Sequence, residues 1–194
     1  MNKVKYLVLT WNDIAKLSIK LARKIIESNF TPDVIVGIMR GGWIVAKIVE
    51  DLLGAKELGS LEIKFYKGIG EKAERPILTQ PLMVSVRDKK VLIIDDVADS
   101  GRTLQTATEV VRLCGAREVR TATLYMKPWS IMIPDYYVGT TTSWIVFPWE
   151  YGEVLREVAK KNYGNLDKDS LIKAASNVGF EDEYIEEIIN IIKS

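Results

Sequence analysis

Apolar positions near the start of the chain recur at helical spacing. Ile14, Leu17, Leu21 and Ile25 form one stripe, preceded by Thr10 and Asp13 in the arrangement of a capping box and closed by Pro32. Val34–Ile38 is a short continuous apolar run of the buried-strand kind. Gly41 and Gly42 then lead into a second helix, Trp43–Leu53, stopped by Gly54. Leu61–Tyr66 alternates as a strand. Residues 67–81 read as a polar loop containing Gly, Lys, Pro76 and Pro81, longer than a compact domain normally keeps without a use for it. Val91–Ile94 is the most apolar strand and breaks off at Asp95 and Asp96. A helix is expected from Arg102 to Cys114, ended by Gly115, then a strand over Val119–Met126, an irregular stretch over 127–143, a short strand Trp144–Phe147 and a helix Trp149–Lys161. Helices alternating with apolar strands predict an α/β fold with a mainly parallel sheet flanked by helices.

The pattern changes at Gly164 and Asn165. Residues 165–194 hold seven acidic and three basic residues. They carry two more helical stripes, one through Leu171, Ile172 and Ala175, the other through Tyr184, Ile185, Ile188, Ile189 and Ile192, with Gly179 between. The expected organisation is a main domain over 1–164, with a small hood at about 127–150, and an acidic C-terminal helical extension over 165–194. That hairpin is read as packing on the main domain or on another subunit, with a dedicated effector site as the other reading.

Composition narrows the chemistry. The chain has 194 residues, 47% of them hydrophobic and 27% charged, a globular balance. The net charge of +1 provides no global field to draw it onto nucleic acid or anionic lipid, and neither is expected as a partner. Histidine is absent, which excludes His-based triads and His zinc sites. A single cysteine, Cys114, rules out an intrachain disulfide. With no signal-like or membrane-spanning run, the expected location is the cytoplasm.

The stretch from Val91 to Thr103 concentrates chemistry: a buried strand, then Asp95, Asp96, Ala98, Asp99, Ser100 and Gly101, then a helix starting at Arg102 and Thr103. In an open parallel sheet, ligands bind beyond the carboxyl ends of the strands, where this turn falls. Backbone amides at a helix start suit a phosphate. Two consecutive carboxylates are costly to bury unpaired and suit sugar hydroxyls, a hard cation such as Mg²⁺, or both. Another reading makes Asp99 or Ser100 a simple helix N-cap. The stretch is neither a Walker A loop nor a GxGxxG fingerprint.

This segment resembles the phosphoribosyl pyrophosphate (PRPP) loop of the type I phosphoribosyltransferases. The resemblance implies that Asp95 and Asp96 hold the ribose hydroxyls with Mg²⁺ nearby. It also implies that Ala98, Asp99, Ser100, Gly101, Arg102 and Thr103 bind the nucleotide phosphate. In the purine enzymes the residue at the position of Asp99 lies beside N7 and accepts its proton. Arg40 and Gly41, after an apolar strand, suit an anion by their donors and open backbone, or form only a tight turn. They are similar to the family's pyrophosphate loop, which implies a cis peptide before Arg40.

Lys127 is a candidate donor to an exocyclic carbonyl oxygen, and Trp144 offers a face for stacking on a heterocycle or is simply core. The run Trp144-Ile145-Val146-Phe147-Pro148-Trp149-Glu150 resembles the hood of the xanthine-guanine and hypoxanthine members. By that likeness Lys127, Trp144, Ile145 and Glu150 bind the base. The loop from Tyr66 to Gln80 stands where the family has a flexible lid, or is a solvated loop. The likeness covers about residues 30–150 and leaves out the acidic extension. It implies transfer of the phosphoribosyl group from PRPP to N9 of a 6-oxopurine (guanine, xanthine or hypoxanthine) in purine salvage, by a homodimer or homotetramer. The alternatives are an adenine or pyrimidine phosphoribosyltransferase and a non-catalytic PRPP- or nucleotide-binding regulator on the same fold.

Overall fold

The structure is a computed structural model describing residues 4–66, 75–181 and 183–193. It divides into two compact units. Ala15–Thr142 forms one, and the two ends of the chain, Met1–Ile14 and Ser143–Ser194, form the other. The division falls within helix α1 (Trp11–Glu27). This helix starts as its sequence predicts: the Thr10 amide donates to Asp13 Oδ2 at 2.9 Å, and the Asp13 amide returns a bond to Thr10 Oγ1 at 3.2 Å.

The larger unit is built on strands β2 (Val34–Met39), β3 (Glu57–Tyr66), β4 (Arg75–Gln80), β5 (Lys90–Ala98), β6 (Glu118–Met126) and β7 (Tyr136–Thr140). Their order is β4-β3-β2-β5-β6-β7. All neighbours are parallel except β4, which runs antiparallel to β3 at one edge. Central parallel strands are covered on both faces, so they read as unbroken apolar runs. Val34, Ile35, Val36, Val91, Leu92, Ile93 and Ile94 are accordingly all fully buried. Helix α2 (Gly41–Leu53) follows β2, and α3 (Arg102–Leu113) follows β5. Leu104, Ala107 and Val111 of α3 pack into one core with Val34, Val36, Leu61 and Ile93.

Strand β5, expected to break off at Asp95, runs on through Asp95 and Asp96 to Ala98, and two further stretches of this unit also differ from expectation. Residues 136–140, read as irregular, form β7. It starts just after Asp135, whose carboxylate accepts bonds from the Thr121 amide and hydroxyl, both at 2.8 Å. Of the expected 67–81 loop, residues 75–80 form β4, with Ile63 opposite Leu78 and Phe65 opposite Pro76. Residues 67–74 lie outside the described part.

In the unit formed by the chain ends, β1 (Tyr6–Val8) pairs in parallel with β8 (Trp144–Val146). A 3₁₀ turn, Pro148–Glu150, leads into α4 (Tyr151–Tyr163), followed by α5 (Lys168–Val178) and α6 (Ile185–Lys193). Asp167 caps α5 by accepting the Ser170 amide at 2.8 Å. Val146, Leu155, Ala159, Leu171, Ala174 and Ile189 share one core. The boundary expected at residue 164 therefore falls inside this unit: α5 and α6 pack on α4. The expected hood, 127–150, is split between the units at Thr142. Among the described residues, no helix is long and apolar enough to cross a membrane.

Candidate active site

The strand β5 carries its apolar run to Ile94 and then presents Asp95 and Asp96, both half-buried. The Asp96 amide donates to Asp95 Oδ1 at 3.0 Å, and the Val97 amide donates to Asp96 Oδ1 at 2.8 Å. Burial pushes the Asp95 carboxyl well above its ordinary range, and the neighbouring charge of Asp96 pushes it the same way. Burial likewise raises Asp96, to about 6, against the lowering effect of its bond from the Val97 amide. Two carboxylates held at this cost to their ionised form are poised for a positive or hydroxyl-rich ligand.

Beyond them lies a cavity of about 220 Å³, lined by Asp95, Ala98, Asp99, Ser100, Gly101 and Thr103 among others. Gly101 takes the left-handed conformation, with φ +79°, directly before α3, and the Arg102 amide that opens the helix donates to Ser100 Oγ at 3.4 Å. A Cβ there would come within 2.5 Å of Ser130 Oγ and 2.7 Å of the Met132 amide nitrogen. The N-cap reading of Asp99 is therefore not the one observed. Its Oδ1 instead accepts the indole N–H of Trp129 at 2.9 Å.

The segment after β6 is laid along this turn. The Lys127 amide donates to the Ala98 carbonyl at 2.9 Å, and the Ile131 amide to the Ser100 carbonyl at 3.0 Å. Lys127 is only 5% exposed; burial lowers its ammonium pKa, and the charge of Asp99 acts in the opposite sense. Its Nζ lies 5.6 Å from the centre of the Trp129 ring.

On the other flank, the Met39–Arg40 peptide is cis, and Arg40 is exposed where β2 turns into α2. Its charge helps to lower the pKa of Glu62, behind the larger effects of hydrogen bonds from Thr79 and Lys64. Gly42 is buried against the end of β5, bringing the start of α2 onto Asp95.

Arg40, Gly41, Asp95, Asp96, residues 98–103 and Lys127 thus all belong to the sheet unit. Trp144, Ile145 and Glu150 belong to the other. There Trp144 is 56% exposed and shares a cavity of about 190 Å³ with Tyr6, Val154, Glu157, Val158 and Lys161. Ile145 is buried, and the Glu150 amide donates to the Phe147 carbonyl at 3.0 Å. Trp129 does not stand out in the sequence. The available signal was an aromatic two residues past Lys127, behind Pro128, at the carboxyl end of a strand.

No cluster of three metal-ligating side chains occurs among the described residues. Asp95 and Asp96 fit a hard divalent cation that takes its remaining oxygen ligands from a bound substrate and water, as Mg²⁺ commonly does.

Residues 8–154 match the family model described as the phosphoribosyl transferase domain. Over 154 residues the chain is 31% identical to a xanthine-guanine phosphoribosyltransferase of Ruegeria sp., a match covering 73% of this chain and 84% of that protein. It is 34% identical over 116 residues to the bifunctional protein PyrR of Clostridium novyi, covering 55% and 65% of the two chains. The crystal structure of a purine phosphoribosyltransferase from Pyrococcus horikoshii resembles it with a TM-score of 0.68 at 43% identity, over 75% of this chain and 93% of that one. With most of its length so matched, and the paired carboxylates standing at the end of β5, the chain belongs to the type I phosphoribosyltransferase family of enzymes.

Proposed function

We propose that this enzyme transfers the 5-phosphoribosyl group of PRPP to N9 of a 6-oxopurine, acting in purine salvage as a cytoplasmic homodimer or homotetramer. The observation that carries the reading is the grouping of Asp99 and Lys127 around Trp129. A 6-oxopurine presents N7 and O6 along one edge, so an acceptor and a buried ammonium at neighbouring positions suit it. An exocyclic amino group, as in adenine, would face the Lys127 ammonium with no acceptor for it. The names of the Ruegeria and Pyrococcus relatives point the same way.

The bond from ribose C1 to a pyrophosphate oxygen breaks with its electron pair leaving on pyrophosphate, and N9 forms the new bond to C1. Asp99 takes the N7 proton, which makes the N9 lone pair available. Asp95 and Asp96 hold the ribose hydroxyls. The residues from Ala98 to Thr103 hold the 5-phosphate at the start of α3, and Arg40 with the amides from Gly41 onward receives the pyrophosphate. Mg²⁺, held by Asp95 and Asp96, would neutralise charge on the departing pyrophosphate. Trp144, Ile145 and Glu150 are assigned to the base by likeness to the purine members alone.

The test is a panel of guanine, xanthine, hypoxanthine, adenine and uracil with PRPP and Mg²⁺, followed by ultraviolet absorbance and light scattering of the purified chain. Nucleotide from one or more 6-oxopurines, lost on chelation with EDTA, is expected. The likeness to PyrR favours a second reading, a pyrimidine enzyme or a nucleotide-responsive regulator. Turnover of uracil alone, or binding of PRPP without turnover of any base, would carry that reading instead.

A further inference from the structure

Trp129 is more than half exposed, yet its ring is set between two groups of opposite charge. Its edge donates to Asp99 Oδ1 at 2.9 Å, and the Lys127 ammonium stands 5.6 Å from its ring centre. That arrangement matches the indole's own charge distribution. The N–H edge is a pure donor and suits a carboxylate; the π face is negative and suits an ammonium.

The ring does not depend on Asp99 for its placement. Residues 127–131 are fastened to the β5–α3 turn by the bonds from the Lys127 amide to Ala98 and from the Ile131 amide to Ser100. A further bond runs from the Ser130 amide to the Lys127 carbonyl, 3.0 Å long, and closes the turn that carries Trp129. Ser130 Oγ in turn donates to the Met132 carbonyl at 2.8 Å. An exposed aromatic on a backbone so fixed covers little core. Its two polar contacts are what the position provides.

We propose that Trp129 is a positioning residue for the transfer reaction: its indole N–H orients the Asp99 carboxylate, and its ring face holds the Lys127 ammonium beside it. This rests on the functional reading above, in which Asp99 takes a proton and Lys127 reads the base. By occupying Oδ1 of Asp99, the indole presents the carboxylate in one rotamer instead of several. It touches neither the ribose nor the phosphates in this account, so its effect belongs to the chemical step and to the base, not to PRPP.

The experiment uses the full chain and two substitutions. Trp129→Phe removes the N–H donor and keeps a ring over Lys127; Trp129→Ala removes both. The expected result for Trp129→Phe is a kcat about tenfold lower with KM for PRPP within about twofold of the parent, the pattern of a lost orienting interaction. Trp129→Ala is expected to raise KM for the base as well. The contact itself is read without turnover, from the indole N–H resonances of ¹⁵N-labelled protein. The resonance that vanishes in Trp129→Phe is expected to move upfield in Asp99→Ala. A kcat unchanged in Trp129→Phe, a loss confined to KM for PRPP, or an indole resonance indifferent to Asp99→Ala would each overturn the inference. If the parent chain turned over no purine at all, the functional reading would fall on its own, and the resonance would still decide whether Trp129 holds Asp99.

Discussion

Gly42 lies so close to Asp95 that a methyl group added to it would stand 2.7 Å from the Asp95 Cα and 2.8 Å from Oδ1. It would also meet the Ile94 carbonyl oxygen at 2.7 Å. The first turn of α2 is thereby seated on the end of β5, which puts the loop of Arg40 beside the paired carboxylates. The clashing atoms are mainly backbone, so no side-chain rotation relieves them. Gly42→Ala is expected to destabilise the fold by about 1–3 kcal/mol, the usual effect of overpacking. It should also weaken PRPP binding in the folded fraction, because relief requires Asp95 to move. Urea denaturation and calorimetric titration with PRPP check the two effects. A substitution silent in both would mean that α2 and β5 are not so closely seated.

The raised pKa values of Asp95 and Asp96 set a second expectation, with a definite sign. In the folded protein Asp96 keeps its proton up to about pH 6, whereas in the unfolded chain an aspartate loses it near pH 4. Between those values the folded state binds more protons, so stability falls as pH rises through that window and stays lower above it. Asp96→Asn removes the charge and retains an oxygen for the Val97 amide. The variant should be more stable than the parent at pH 8 by on the order of 1–3 kcal/mol, with the gain closing toward pH 4. The same change should weaken binding of PRPP with Mg²⁺, and the parent's own affinity should decline as pH drops below about 6. Thermal melts at several pH values give the first result, and titrations the second. Equal melting of the two proteins at pH 8 would contradict the assigned burial.

Asp99 differs from that pair, being exposed at the cavity's rim with its Oδ1 accepting from Trp129. Asp99→Asn keeps the shape and the indole bond and loses the capacity to take a proton. The expected outcome is a kcat lower by roughly 10²–10⁴-fold, the range for a lost general base, with nucleotide affinity changed far less. Steady-state kinetics beside equilibrium binding of the product nucleotide separates the two. Equal losses in rate and binding would make Asp99 a binding group only.

How much of this was legible beforehand follows from how local each signal is. β2 and β5 announce themselves because strands covered on both faces must be apolar at every position, as Val34–Ile38 and Val91–Ile94 are. Asp95, Asp96 and Asp99 stand out because carboxylates following such an apolar run have few purely structural uses. β7 was missed for the opposite reason. It is an edge strand that grades from buried Tyr136 to exposed Thr140 and contains Gly139, whose missing side chain leaves room for the Tyr125 ring 2.7 Å from where a Cβ would be. β1 spans three residues and is a strand only because β8, far along the chain, lies beside it. The Trp129–Asp99 bond joins residues 30 positions apart and exists because backbone bonds lay one loop along another. No periodicity reports such a contact.

The acidic C-terminal segment gives the last expectation. Its acidic composition, the change of pattern at Gly164 and Asn165 and its place outside the family likeness set residues 165–194 apart, yet Leu171 of α5 is fully buried, in one core with Val146, Leu155, Ala159 and Ile189. Its neighbour Ile172 is 49% exposed. The two positions are adjacent, equally apolar and opposite in environment, so together they test whether these helices are part of the folded core. Leu171→Ala should cost about 2–5 kcal/mol, the loss of a buried leucine with a cavity left behind. Ile172→Ala should stay within about 1 kcal/mol, as surface changes do. Urea midpoints of both variants against the parent provide the comparison. Two small effects would mean that α5 and α6 contribute little to the core seen around α4; a large effect at Leu171 alone makes the segment a structural element joined to α4 by an apolar seam.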